Sequence, residues 1–242
     1  MATSYTRYSS QVVITYKNRY NSGVFATEEQ TAKLADFFKE KGLKILYRKN
    51  DLIVKPGETP PGVFYILEGV VKSYDVTRYG DENLLIIRKA REFFPLIWTI
   101  TGQERNIAYR ALVPTTMLRV TRDDFLDFLK QDSELLAPFI DMTMEMYRLH
   151  SERILNLEYR SVRERIASFL LTTAQRFGTQ TDEGIRIEIP LRHQDIASSI
   201  NASRETTSRE LARMQRKGIV GKDFSRLVLT SPDALRAYLK RP

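Results

Sequence analysis

Apolar residues recur along this chain with different periods, and each period predicts a different kind of element. Between Glu28 and Lys41, Leu34, Phe37 and Phe38 fall on one side of a helical wheel, so this stretch predicts an amphipathic helix ended by Gly42. From Leu43 to about Val120 the pattern becomes short alternating runs broken by turn residues. Lys55-Pro56-Gly57-Glu58, Glu68-Gly69 and Tyr79-Gly80-Asp81 punctuate apolar runs such as Val63–Leu67 and Val70–Val76. Short strands closely spaced by Gly and Pro turns predict an antiparallel sandwich or roll. Thr121–Leu129 then predicts a short helix.

Ser133–Tyr159 predicts a helix of unusual length, with Leu135, Leu136, Phe139, Ile140, Met142, Met146, Leu149, Ile154 and Leu157 at three- and four-residue steps. A stripe of this length calls for a cover. Self-association through Phe139, Met142, Met146, Leu149, Ile154 and Leu157 is expected, the alternative being a helix packed on its own domain. Arg153 and Asn156 interrupt the seam, either fixing its register or facing a ligand. Next come a helix at Val162–Phe177, an alternating strand at Ile185–Ile189, two short helices, a hairpin-like stretch at Gly218–Thr230 and a terminal helix at Pro232–Leu239. Three helices with a small hairpin outline a winged helix. The expected architecture is α+β: a tail at 1–23, a β-roll sensor at 24–132, a dimerisation helix at 133–159 and a winged helix-turn-helix at 160–242.

Composition narrows the function classes. The 242 residues suffice for two cores, and 42% hydrophobic residues is ordinary for globular chains. No apolar run is long enough to span a bilayer, and the polar, tyrosine-rich start lacks a signal-like apolar region, so a cytoplasmic protein without a membrane partner is expected. There is no cysteine, which removes disulfides and thiolate-ligated metal or iron–sulfur sites, and the two histidines show no metal-ligand spacing. Charge is uneven: from Arg160 onward 16 Lys/Arg face 9 Asp/Glu, whereas the preceding 159 residues hold 22 against 21. A basic domain joined to a nearly neutral one points to a polyanionic partner, although a solvated basic surface has the same composition.

Gln194–Lys217 supplies the chemistry. Gln194–Ile200 makes two helical turns, and Asn201 is one of the few non-glycine residues that accept a left-handed turn conformation. Ser203 is a good N-cap for a second helix closed by Gly218. This is the form of a helix-turn-helix, whose second helix enters the major groove of DNA. With Arg204 at zero on a wheel, Ser208, Glu205 and Arg209 lie at about 40°, 100° and 140°, opposite Thr207, Leu211 and Met214. Arg204, Glu205, Ser208 and Arg209 are thus the candidate base readers: Arg forks onto guanine, Glu accepts from cytosine, and Ser serves either. On a purely solvated helix the same residues would be incidental neighbours, with Glu205 and Arg209 an i,i+4 pair.

Two segments carry a family resemblance. Leu191-Arg192-His193-Gln194-Asp195-Ile196-Ala197, followed by Ala202-Ser203-Arg204-Glu205-Thr206-Thr207-Ser208-Arg209, resembles the DNA-binding signature of the Crp/Fnr regulators. Gly57-Glu58 and Pro61–Lys72 resemble the glycine-punctuated roll of cyclic-nucleotide-binding domains. The resemblance implies a homodimer on double-stranded DNA that contacts RNA polymerase, with Arg204, Glu205, Ser208 and Arg209 reading a TGTGA- or TTGA-like half-site. It further implies that His193, Gln194, Ser203 and Thr206 approach phosphates. Arg192 stands where the family usually has a capping Ser or Thr, which weakens a cap and offers another phosphate contact; Lys222 and Arg226 in the wing join this set by charge and placement.

The sensor is less defined. In the family's nucleotide pocket a Gly-Glu pair holds the ribose and an Arg-Ser pair the phosphate; here Pro95-Leu96 replaces the first pair. Sugar hydroxyls would then lack an acceptor, which argues against cyclic AMP. Arg153–Glu158, Ser168–Leu171 and Arg176-Phe177-Gly178 resemble nitrogen-control regulators that sense 2-oxoglutarate. That resemblance implies an anionic metabolite clamped by Arg105 and Arg153, with Asn106 and Glu158 nearby. The same arginines also suit surface or interhelical ion pairs, with the roll binding nothing, and His150 on a packed helix reads as structural rather than as a haem ligand. No nucleophile–base set, P-loop or metal cluster supports an enzyme. The alternative function is a cyclic-nucleotide-binding-like module acting on a protein partner.

Overall fold

Alternation between Leu43 and Val120 produces two antiparallel sheets in the computed structural model, which describes residues 25–240. The tail expected at 1–23 lies outside the described residues. One sheet joins β1 (Leu43–Tyr47), β8 (Thr115–Val120), β3 (Val63–Glu68) and β6 (Phe93–Phe94) in that order. The other joins β2 (Leu52–Val54), β7 (Ile107–Ala111), β4 (Val71–Val76) and β5 (Glu82–Arg88). Side chains alternate faces along a strand, so Phe64 and Ile66 point into the roll with Phe94, Tyr109 and Met117, while Tyr65 points out. The Phe64–Phe94 and Phe94–Tyr109 rings stack at 5.2 and 4.6 Å. Gly69 is required where β3 turns into β4: it sits at φ 104°, and an added Cβ would lie 2.4 Å from Thr115 Oγ1.

The outer face of the first sheet is covered by α1 (Glu28–Lys41), α3 (Arg122–Gln131) and α4 (Leu136–Tyr159), after a single 3₁₀ turn at Ser133–Leu135. A Thr27/Gln30 capping box opens α1. A short helix, α2 (Leu96–Thr101), follows β6 and was not expected from the pattern. The structure corrects the expected dimer stripe. Phe139, Met142, Met146 and Leu149 pack on their own roll, with the Phe139 ring 5.6 Å from that of Phe93. Leu157 faces the C-terminal domain, and only Ile154 of that set is exposed. Apolar side chains occur on two sides of α4, and the outward seam is Ile140, Met144, Tyr147, Ser151 and Ile154, at alternating steps of four and three.

The C-terminal domain opens with α5 (Val162–Phe177), capped by a Ser161/Glu164 box. Its sheet has the order β11 (Gly221–Asp223), β12 (Arg226–Leu229), β10 (Gly184–Ile187), β9 (Gly178–Thr181). The helices α6 (His193–Ser199), α7 (Arg204–Arg216) and α8 (Pro232–Leu239) complete it. Ile166, Leu170, Ile196, Leu211 and Met214 form the core, which Leu84, Ile87 and Leu112 of the roll also join. Among the described residues no helix is long and apolar enough to cross a membrane.

Candidate nucleic-acid interface

The α6–turn–α7 unit is built by a few local choices. Asn201 takes φ 50°, as the tight turn demands, and the Ala202 amide donates back to Ala197 O at 3.0 Å. Ser203 caps α7 by accepting from the Thr206 amide at 3.0 Å. Thr207, Leu211 and Met214 are buried beneath it. The C-terminus of α6 is held by two arginines: Arg153 Nε donates to Ser199 O, and Arg165 Nη1 to Ile200 O, each at 2.9 Å.

This scaffold leaves Arg204, Glu205 and Arg209 exposed on the first turns of α7, with no ion pair among the described residues. Arg209 makes only a 3.3 Å bond to Thr206 Oγ1. Glu205 is held below the ordinary carboxylate range, first by a backbone amide at the helix start and then by Ser203. Ser208 is already engaged: its hydroxyl lies 2.8 Å from His193 Nδ1, tying the two helices together. His193 titrates below its ordinary value because burial, then Lys222 and Arg204, disfavour its charged form. Gln194, Ser203 and Lys222 are exposed along the same edge, and Thr206 is half-buried.

Two arginines of the phosphate set are engaged in different ways. Arg192 offers no acceptor to cap α6; the Asp195 carboxylate braces the helix start by accepting from the Arg192 amide and guanidinium, and Arg192 stays largely exposed. Arg226 is half-buried with its Nη1 enclosed and unpartnered, so the wing's outward cation is Lys222. Sequence reasoning missed Phe224, which stands 99% exposed at the wing tip with φ 49°. An aromatic between two turn-forming polar residues was the only available signal.

Arg105 and Arg153, the two arginines of the expected clamp, both act on the charge of His150. Arg105 and Glu158 are exposed, and Asn106 donates to Val76 O. Arg153 holds Ser199 O and Asn83 Oδ1, so its guanidinium joins the domains. Arg88, also in the roll, is 6% exposed, with no ion pair among the described residues and no partner for Nε. Its Nη1 meets only Phe93 O and Met146 Sδ. Burial raises the Tyr109 hydroxyl's pKa, against opposing fields from Arg88 and Arg105. Burial lowers that of His150, with Arg153, Arg88 and Arg105 adding to it. Among the described residues, no group of three or more His, Asp or Glu side chains is placed to hold a metal ion.

A network runs between the domains. Lys72 Nζ on β4 donates to Glu82 Oε2 at 2.6 Å and to Asp195 Oδ1 of α6 at 3.2 Å, and Arg110 braces Glu82 at 2.5 Å. Asp195 is thereby at once the N-terminal brace of α6 and an anchor to the roll.

Comparison with known proteins agrees along the whole order of elements. Residues 164–238 match the Crp-like helix-turn-helix domain and residues 44–132 the cyclic nucleotide-binding domain. The chain is 26% identical over 219 residues to the global nitrogen regulator of Synechocystis sp., covering 85% of this chain and 95% of that one. Among solved structures it resembles FixK2 from Bradyrhizobium japonicum (TM-score 0.71, 23% identity, 81% and 96% of the two chains). It also resembles a CooA variant from Carboxydothermus hydrogenoformans (TM-score 0.73, 20% identity, 90% and 100%).

Proposed function

The chain belongs to the Crp/Fnr family of DNA-binding transcription regulators, and within that family we propose that it reads a palindromic TGTGA- or TTGA-like site as a homodimer. The observation that carries the base-reading part is the exposed Arg204, Glu205 and Arg209 set on α7, unpaired and mounted on a capped, packed helix. Charged groups left without partners on a rigid frame are ready for base edges and phosphates. Ser208, fixed by His193, contributes through that relay. The dimer is supported by the outward seam of α4, where exposed Ile140, Met144, Tyr147 and Ile154 follow coiled-coil spacing. Two-fold symmetry then sets half-sites roughly 34 Å apart.

The sensor reading is a small anionic metabolite, a carboxylate such as 2-oxoglutarate, gating DNA binding. Its support is Arg88, a buried guanidinium with no ion pair among the described residues, flanked by Tyr109 and His150. A ligand acts by favouring one seating of the domains over another.

The test is titration of purified protein against a palindromic duplex and a scrambled one of equal length at physiological salt. Strong preference for the palindrome, and its loss in a Tyr147→Asp variant that light scattering shows to be monomeric, are expected. Equal affinity for both duplexes would refute base reading.

A further inference from the structure

The wing ends in a loop whose central residue the fold does not explain. β11 and β12 pair with Asp223 opposite Arg226, which leaves Phe224 and Ser225 as a two-residue hairpin loop. Phe224 takes φ 49°, a conformation that favours glycine and is unfavourable for a bulky side chain. Burial does not offset that strain, because the ring is 99% exposed. The stem beneath fixes where the ring stands. Leu227, Val228 and Leu229 are buried, and β12 pairs with β10 as well as with β11. Arg186 answers both carboxylates near the tip, bonding Asp223 Oδ2 and Glu188 Oε1 at 2.9 Å each.

The charge left over around the ring is positive. Lys222 is exposed and Arg226 half-buried, and neither makes an ion pair among the described residues. The wing also grows directly out of the reading helix. The Ile219 amide donates to Met214 O of α7 at 3.0 Å, and Ile219 and Val220 are buried just before β11. From β11 the field of Lys222 reaches His193, whose Nδ1 lies 2.8 Å from the Ser208 hydroxyl of α7. Wing and reading helix are thus parts of one unit. With a helix in the major groove of DNA, the next groove across a single sugar–phosphate strand is a minor groove, about 6 Å wide. A cation suits the strand between the two grooves, and an apolar ring ahead of it suits the groove beyond.

We propose that Phe224 is an apolar wedge that enters the minor groove flanking each half-site and partly unstacks one base step, with Lys222 on the phosphates beside it. The inference rests on DNA binding by α7 and adds to it a contact outside the half-site. Every base has a face on which a ring can stack, so what the ring discriminates is how easily the step opens. Pyrimidine–purine steps open readily, whereas A-tracts are stiff. Phe224 therefore makes the flank part of the recognised sequence through its deformability, without a hydrogen bond to any base edge.

The wedge is tested in the flanks, apart from the half-sites. Full-length protein is titrated by fluorescence anisotropy against palindromic duplexes whose half-sites are identical and whose flanks carry either TA steps or A-tracts. In a second set, 2-aminopurine stands at each flanking position in turn and brightens where it is unstacked. Wild type is expected to prefer TA flanks about tenfold and to brighten the probe at one position per flank. Phe224→Ala should bind TA-flanked DNA about tenfold more weakly, lose both flank effects and keep the wild-type salt slope. Phe224→Gly, which suits φ 49°, should do the same with the fold retained. The proposal is overturned if Phe224→Ala binds every duplex as wild type does, or if no flanking probe brightens. A variant that keeps both DNA readouts but loses transcription with purified RNA polymerase would assign the ring to a protein partner and overturn it equally. Equal wild-type affinity for intact and scrambled half-sites would refute base reading alone; brightening that Phe224→Ala abolishes would still support the wedge.

Discussion

Two sets of charged side chains lie one helix apart in the C-terminal domain, and the fold treats them oppositely. On α7, Arg204, Glu205 and Arg209 stand in solvent without ion-pair partners among the described residues. On α6, Asp195 is buried and shared between Arg192 and Lys72, itself only 3% exposed and also bonded to Glu82. Unpaired charge in water costs little and remains available to an outside polyanion. Buried charge is tolerable only when paired, and losing one partner strands the others. The first set suits recognition, whereas the second fixes where the recognition helix sits relative to the roll.

The sharpest way to break this contrast is Lys72→Met. It strands buried Asp195 against Arg192 alone and is expected to cost about 3–5 kcal/mol in urea unfolding. A cost under about 1 kcal/mol would mean that the network behaves like a surface pair. Acid should weaken the same contact. Burial pushes Asp195 and Glu82 upward, but Arg192 and Lys72 for the first, and Lys72 and Arg110 for the second, outweigh it. Both carboxylates therefore sit below their ordinary 3.8 and 4.5, and their stabilisation is present above those values and lost as pH falls through the folded ones.

On the reading side, Arg209→Ala should leave the urea midpoint unchanged while costing about 1–3 kcal/mol on cognate DNA and relaxing one base position. Lys222→Ala should weaken all sequences alike and reduce the salt slope by about 1. The smallest effect is expected from His193. It titrates below 6.5 in the free protein, and a neighbouring phosphate would favour its charged form, so DNA affinity should rise as pH is lowered through that value. His193→Asn should flatten that dependence, measured by fluorescence anisotropy from pH about 8 to 5.5.

Much of this was legible in the chain. Period-two runs with glycine turns marked the roll, and the cap at Ser203 marked a helix start that the structure keeps. Asn201 announced the left-handed turn between α6 and α7. Other elements carried no comparable signal: α2 is only six residues long, and β9 is a polar edge strand.

Local residue choice is sufficient wherever a property depends on neighbours in sequence: helix and strand periods, N-caps, the turn at Asn201, and a basic, amphipathic α7 with its polar flank. Partnership is a different matter. A helix that is apolar on two sides, as α4 is, does not reveal which side meets its own roll, and that choice moved the outward seam from Met142 and Met146 to Met144 and Tyr147. Likewise nothing near Arg153 or Arg88 in sequence shows that one joins two domains and the other is buried with no ion pair among the described residues. Those outcomes depend on which groups, distant along the chain, are desolvated together, and folding alone settles that.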